Sequence, residues 1–376
     1  MKKLDEGLLK SNIEKIARYD FDNQKVFGSA YCVIQNDNVI YKNCFGNVSV
    51  GSSSPVTSST IFRLASMTKP ITAVAALILV ERGLLSLSDK VSDYLPEFKD
   101  VHVIRLTEDN EKIDLGVAQN APTIRHLLSH CSGIGSNPAK SKQMTDIDRS
   151  TVDNTVSFFC KAGLEFEPGT QQKYSDTGAF DVLVKIIEKV TSTDYLTFLK
   201  KEIFEPCGMK STTFVPSKEQ WAKMIDLHDK VDGKCCVAET KRNCIFFSYP
   251  CTHYLGGAGL ISTLDDYVEF AKMLLHKGKA KNKRILSEET FSLMNTAYIP
   301  SGNNHSWGIG VTIITSEAYE LLPIGAFGWS GAYGTHFWID PTNNVAAVFM
   351  KNSLFDGGAA NESAVKFERA VHDSFK

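Results

Sequence analysis

The spacing of apolar residues changes character several times along the chain. Near the start, Leu4, Leu8, Ile13 and Ile16 recur at intervals that share one face of an amphipathic helix. Positions 30–34 and 39–45 read as two strands, joined into a hairpin by the turn-forming Asn36-Asp37-Asn38. A Ser/Thr-rich loop over 51–60 leads to 66–82, where nearly every position is apolar. A helix that is hydrophobic all round is a buried one, and Gly83 follows as a C-terminal glycine would. Helical spacing then dominates, over 124–129, 151–161, 179–190, 195–204 and 264–275. Positions 221–253 show no clear period and predict a long loop with short strands. Strand patterns return at 307–314, 335–340 and 345–351, the last two linked by the turn Pro341-Thr342-Asn343-Asn344. Positions 367–375 predict a closing helix.

Strands at both ends with helices between them predict one sheet built from both termini, into which a helical domain is inserted. The boundaries read as 1–75 and 250–376 for the sheet domain and 76–249 for the mostly helical insertion, with the active site at their interface. There are no internal repeats.

Composition narrows the partners. Lys+Arg 41 against Asp+Glu 43 leaves a net charge of −2, without a basic run, which argues against nucleic acid or an anionic membrane. The longest apolar run covers 71–80, whereas a bilayer-spanning helix needs about 20 residues. At the N-terminus, Asp5 and Glu6 follow Lys2 and Lys3 almost at once, where a signal peptide would carry its apolar core. The expectation is a cytoplasmic protein whose nine cysteines are reduced thiols. Cys235, Cys236, Cys244 and Cys251, with His253 nearby, form the only cluster, and it lacks the C-x-x-C pairs of a structural zinc site. It reads as a loop with free thiols; no metal and no cofactor are expected.

The sharpest chemical feature is Ser66-Met67-Thr68-Lys69, which opens the buried helix. Three residues apart on a helix, hydroxyl and amine share a face, and the helix start turns free N–H groups toward the serine. Pro70 fixes that start, since its missing N–H costs nothing in a first turn. Taken alone, the tetrad reads first as a capped helix with a snorkelling lysine, ahead of a catalytic pair. Two further segments shift the balance: Tyr174-Ser175-Asp176-Thr177-Gly178 after a turn, and the glycine-dense Phe327-Gly328-Trp329-Ser330-Gly331-Ala332-Tyr333-Gly334-Thr335 before a strand.

With these three motifs in this order, the chain resembles the serine β-lactamase and penicillin-binding-protein superfamily, in its class C-like branch. That branch also holds family VIII carboxylesterases, D-aminopeptidases and the lovastatin side-chain acyltransferase. The likeness runs from about 29 to 351 and includes 123–130, 206–209, 256–263 and 307–310. It implies an α+β, β-lactamase-like fold with an antiparallel sheet. It also implies Ser66 as the acylated nucleophile, Lys69 and Tyr174 as the general-base pair, and the N–H groups of Ser66 and Ala332 as the oxyanion hole. Asp176, Trp329, Ser330 and Gly331 fall at substrate-binding positions, while the glycines of 256–259 are expected to serve close packing.

Two positions depart from the pattern. Asp176 stands where class C enzymes carry Asn, and a carboxylate beside Lys69 would favour its ammonium form. Trp329 stands where β-lactamases carry a substrate-holding Lys, and an indole offers one N–H and no charge. The resemblance therefore implies a serine esterase or acyltransferase acting on small esters. The alternatives are a β-lactamase or D-amino-acid amidase, or a non-catalytic β-lactam- or acyl-binding module.

Overall fold

The computed structural model describes residues 1–238, 253–299 and 304–376. Seven strands form its main sheet: β1 (Gly28–Gln35), β2 (Asn38–Gly46), β3 (His305–Trp307), β4 (Thr312–Ile314), β5 (Phe327–Ser330), β6 (His336–Asp340) and β7 (Val345–Met350). Every pairing is antiparallel, in the order β2-β1-β7-β6-β5-β4-β3. The two ends of the chain meet at the β1–β7 pair, where Ala30 faces Met350 and Gln35 faces Val345. Two-residue alternation then divides the sheet's side chains between two cores. Ala30, Cys32 and Ile34 join the larger core, which continues into the central helices. Tyr31 and Val33 join a smaller one on the other face.

Five helices cover the sheet and frame the site: α1 (Glu6–Asp22), α2 (Thr68–Glu81), α3 (Gly178–Thr191), α4 (Leu264–Leu275) and α5 (Glu362–His372). The smaller core is Leu9, Ile13 and Ala17 of α1 and Phe367 and Val371 of α5, packed on Tyr31, Trp338 and Phe349. On the larger core's side, α2 is buried from Thr68 through Leu79, as its uniform apolar pattern predicts. The β1–β2 hairpin turns through Asn36 and Asp37, both at positive φ, the conformation that Asn and Asp tolerate best among residues with a Cβ.

Several expectations shift in detail. The Asp5 side chain accepts the Leu8 N–H and caps α1, so Leu9 rather than Leu8 faces inward, and Leu4 bridges Phe375 from outside the helix. Leu8 is 43% exposed. The closing helix begins at Glu362, capped by the Asn361 side chain, several residues earlier than its apolar stripe suggests. The segment 307–314 is two short strands folded back on each other, with Gly310 at φ +72° between them. Positions 195–204 form an α-helix over Tyr195–Leu199 that passes into a π-helical turn over Lys200–Phe204. An unexpected hairpin pairs His102–Leu106 with Lys112–Val117.

Within 221–253, His228–Val231 and Lys234–Val237 form a hairpin carrying Cys235 and Cys236 as free thiols. Cys244 and Cys251 lie outside the described residues. Among the described residues no group of three His, Cys, Asp or Glu is placed to hold a metal ion. No described helix is long and apolar enough to cross a membrane.

Candidate active site

Ser66 sits in a 3₁₀ turn, Ala65–Met67, that precedes α2 rather than in the α-helix itself, which begins at Thr68 with Pro70 as its third residue. The turn is strained: Ala65 has φ +47°, a left-handed conformation costing a residue with a Cβ roughly 1–2 kcal/mol. Surrounding hydrogen bonds hold it there. Leu64 N–H donates to Leu260 O at 3.0 Å, Thr335 Oγ1 to Leu64 O at 3.0 Å, and Tyr267 Oη to Met67 O at 2.9 Å. The turn leaves Ser66 half-buried, between two polar neighbours. Tyr174 Oη donates to Ser66 Oγ at 2.6 Å, and Lys69 Nζ lies 3.3 Å from the same oxygen.

Lys69 is fully buried, and all three of its donors have acceptors: Ser66 Oγ, Asp176 O at 2.5 Å and Gly257 O at 2.8 Å. Its Nζ also stands 4.7 Å from the centre of the Tyr174 ring. A Cβ on residue 257 would come within 2.8 Å of Asp176 O and 3.2 Å of Lys69 Nζ, so the close approach requires glycine. The cradle is anchored a step further back. Thr72 Oγ1 donates to Gly256 O at 2.7 Å, and Gly256 N–H donates to Asp181 Oδ1 at 3.0 Å. Asp181 is completely buried, which pushes its carboxyl up to about 8.

Asp176 therefore meets Lys69 through its backbone carbonyl, not through the carboxylate that the departure from Asn suggested. Its side chain opens to solvent while standing among protein atoms. The partial loss of water raises its pKa, and the Lys69 charge pulls it back. Trp329, at the end of β5, points its indole Nε1–H at Tyr174 Oη across 3.4 Å. Ser330 does not share that face. One residue on along a strand, its side chain turns to the opposite side, where Oγ meets His336 Nδ1 at 2.8 Å; His336 Nε2 in turn meets Glu368 at 2.9 Å. Gly331 brings the strand end against the Ser66 turn, since a Cβ there would lie 2.3 Å from Leu64 O. Ala332 follows, exposed. Among the described residues neither its N–H nor that of Ser66 has a backbone acceptor.

Three side chains around Ser66 escaped assignment from sequence. Trp307 stacks on Tyr174 with ring centres 5.5 Å apart and meets Trp329 edge-on at 4.4 Å, so an aromatic wall stands beside Ser66. His130 lies 4.7 Å from the Tyr174 ring and 4.1 Å from Trp307. Asp181 gives no local signal, because an acid inside an apolar helix reads as a surface position.

A strained serine turn, a buried lysine and a tyrosine on the serine hydroxyl, set at the end of an inner strand of an antiparallel sheet, define the architecture of the serine β-lactamase fold. A family model described as Beta-lactamase matches residues 10–368, and the chain belongs to that family, whose members are serine hydrolases. Protein Rv1367c of Mycobacterium tuberculosis is 27% identical over 346 residues, covering 86% of this chain and 85% of its own. Esterase EstB of Burkholderia gladioli is 24% identical over 385 residues, covering 94% and 93%. Among solved structures, EstCE1, described as a hydrolase with promiscuous acyltransferase activity, superposes with a TM-score of 0.82 at 23% identity, covering 98% of this chain and 99% of that one.

Proposed function

We propose that the protein is a serine esterase or acyltransferase that handles small, uncharged esters through an acyl-enzyme on Ser66. The observation that carries this reading is the placement of Tyr174 Oη at 2.6 Å and Lys69 Nζ at 3.3 Å from one serine oxygen. In the reactive form Tyr174 is the phenolate: Ser66 Oγ attacks the ester carbonyl carbon as the serine proton passes to Tyr174 O⁻, giving the neutral phenol. The Lys69 ammonium, itself fixed by two carbonyls, stabilises the negative charge that the phenolate carries before it accepts the proton. The carbonyl oxygen becomes an oxyanion between the N–H groups of Ser66 and Ala332, where one donor is worth about 10²–10³ in rate. Collapse breaks the bond to the alcohol, which leaves with the Tyr174 proton. Water or a second alcohol then repeats the sequence in reverse on the acyl-enzyme.

Charge in the cleft supports the choice of uncharged substrates. Trp329 provides no cation for a substrate carboxylate, and the buried Lys69 is committed to protein acceptors. Asp176, the exposed acid next to them, would repel an anion. EstB, an esterase by name, agrees with this reading along almost its whole length.

The test is intact-protein mass spectrometry after incubation with a panel of acyl donors, p-nitrophenyl esters among them. One acyl group should add to the wild type and none to Ser66→Ala. That variant should lose ester turnover by about 10⁴-fold or more while keeping its fold. Turnover retained in Ser66→Ala, or label on another residue, would overturn the assignment.

A further inference from the structure

His130 takes no part in the reaction as written, yet it touches the segment that carries Tyr174 at three points. Its carbonyl accepts the Lys173 N–H at 2.9 Å, and its Nδ1 accepts the Ser175 N–H at 2.9 Å. The residues on either side of the tyrosine are thus both tied to one histidine. Its ring also packs against the tyrosine ring, with centres 4.7 Å apart, and against Trp307 and Phe180 at 4.1 and 5.4 Å. His130 is fully buried and adopts φ +57°, so its own conformation is held by the surrounding fold and not by local preference.

An Nδ1 that accepts from a backbone N–H carries no proton, so this contact requires the neutral ring. The surroundings enforce that state. Burial, and secondarily the Lys69 ammonium, hold the imidazole well below its usual pKa. Nε2 is buried too, with no hydrogen-bond partner among the described residues. A partnerless nitrogen in an aromatic pocket is costly to bury, which marks the Nδ1 contact as the reason for a histidine here rather than a hydrocarbon.

We propose that His130 is the positioning residue for Tyr174: by gripping residues 173 and 175 it sets the distance from the phenol oxygen to Ser66 Oγ. This rests on the reading of Tyr174 as the proton acceptor. A misplacement of about 1 Å in such a group can cost about 10²-fold in rate, which sets the size of the effect to look for.

The experiment measures kcat and KM for p-nitrophenyl butyrate in His130→Ala, His130→Asn, Tyr174→Phe and the Tyr174→Phe pairs. His130→Ala removes the side-chain acceptor and the ring, and kcat should fall about 10²-fold with KM changed less than about 3-fold. Asn places a carbonyl oxygen close to where Nδ1 stood and tolerates positive φ, so His130→Asn should recover to within about 10-fold of wild type. In the Tyr174→Phe background the same alanine change should cost less than about 3-fold, because the group it positions is gone. Equal losses in both backgrounds, or no loss in His130→Ala, would overturn the proposal. Should His130→Ala not fold, His130→Ser, whose hydroxyl is too short to reach Ser175 N–H, takes its place against His130→Asn under the same criteria. Full activity in Tyr174→Phe would instead overturn the role given to the tyrosine, and with it the basis for this one.

Discussion

At the scale of single residues, the proposed mechanism rests on how three side chains share protons and how one tryptophan shapes what reaches them. Lys69 directs its donors to Asp176 O, Gly257 O and Ser66 Oγ, which in that mechanism makes it a fixed charge beside Tyr174. Trp329 touches that machinery through a single long contact, 3.4 Å to Tyr174 Oη. Its larger contribution is apolar surface beside the serine. Trp329→Lys would exchange that surface for a cation, and each methylene of acyl chain that loses its packing costs about 0.8 kcal/mol. The kcat/KM for p-nitrophenyl butyrate should fall by about one to two orders of magnitude, while nitrocefin, which carries a carboxylate, should gain relative to it. The ratio of the two rates in wild type and variant is the measurement. A flat ratio would mean that the indole serves packing alone. The residues named here were legible as types at fixed spacings, but their directions were not all legible. Strand alternation already implies that Ser330 cannot share a face with Trp329, and it turns to His336. Nothing in the sequence shows that Asp176 would use its carbonyl, because backbone contacts leave no mark on residue identity.

At the scale of elements, the arrangement depends on segments that meet far apart in the chain, and their legibility followed their periodicity. The β1–β2 hairpin and α2 were readable because one is a pair of short β-prone runs meeting at an Asn-Asp turn and the other is apolar on almost every face. The strand pair β3–β4 has the pattern of one strand, because glycines 308 and 310 sit between apolar residues and only tertiary pairing reveals a turn. The loop that cradles Lys69 was visible as a glycine-rich run, yet its anchor, Asp181 on α3, was not. Burial holds that carboxyl up at about 8, whereas an unfolded chain releases the proton near 3.8. The native state therefore keeps a proton that the unfolded state has lost, and it is penalised as pH rises from about 4 to about 8, by up to ~1.4 kcal/mol per unit. Below about pH 4 both states are protonated and the penalty disappears. Asp181→Asn is neutral at every pH and can still accept the Gly256 N–H. It should raise unfolding free energy by on the order of 3–5 kcal/mol at pH 8 and by little at pH 4. Urea midpoints at the two pH values check this; no gain at pH 8 would mean that Asp181 ionises within the fold or that its second oxygen has a partner the asparagine cannot keep.

At the scale of the whole molecule, the sheet separates two cores with different work to do. The larger one carries α2, α3 and α4 and with them Lys69, the Asp181 anchor and the support of the serine turn. The smaller one, beneath α1 and α5, joins the first and last segments of the chain and touches the site only through the sheet's reverse face. Phe367 of α5 sits at its centre, fully buried, with its ring 5.3 Å from Tyr31, 5.0 Å from Trp338 and 5.9 Å from Phe349. Removing it leaves a cavity bounded by strands that cannot collapse without breaking their ladders. Phe367→Ala should therefore cost about 3–5 kcal/mol of stability. The same sheet that makes the loss large also confines it. The ladders from β1 to β5 stay paired, so the β5 end and the serine turn keep their places, and kcat for p-nitrophenyl butyrate per folded molecule should change by less than about 2-fold at low temperature. Urea unfolding together with active-site titration by a fluorophosphonate separates the two quantities. A loss of kcat as large as the loss of stability would show that the reverse core sets the geometry at Ser66, and that the sheet transmits strain between its faces instead of isolating them.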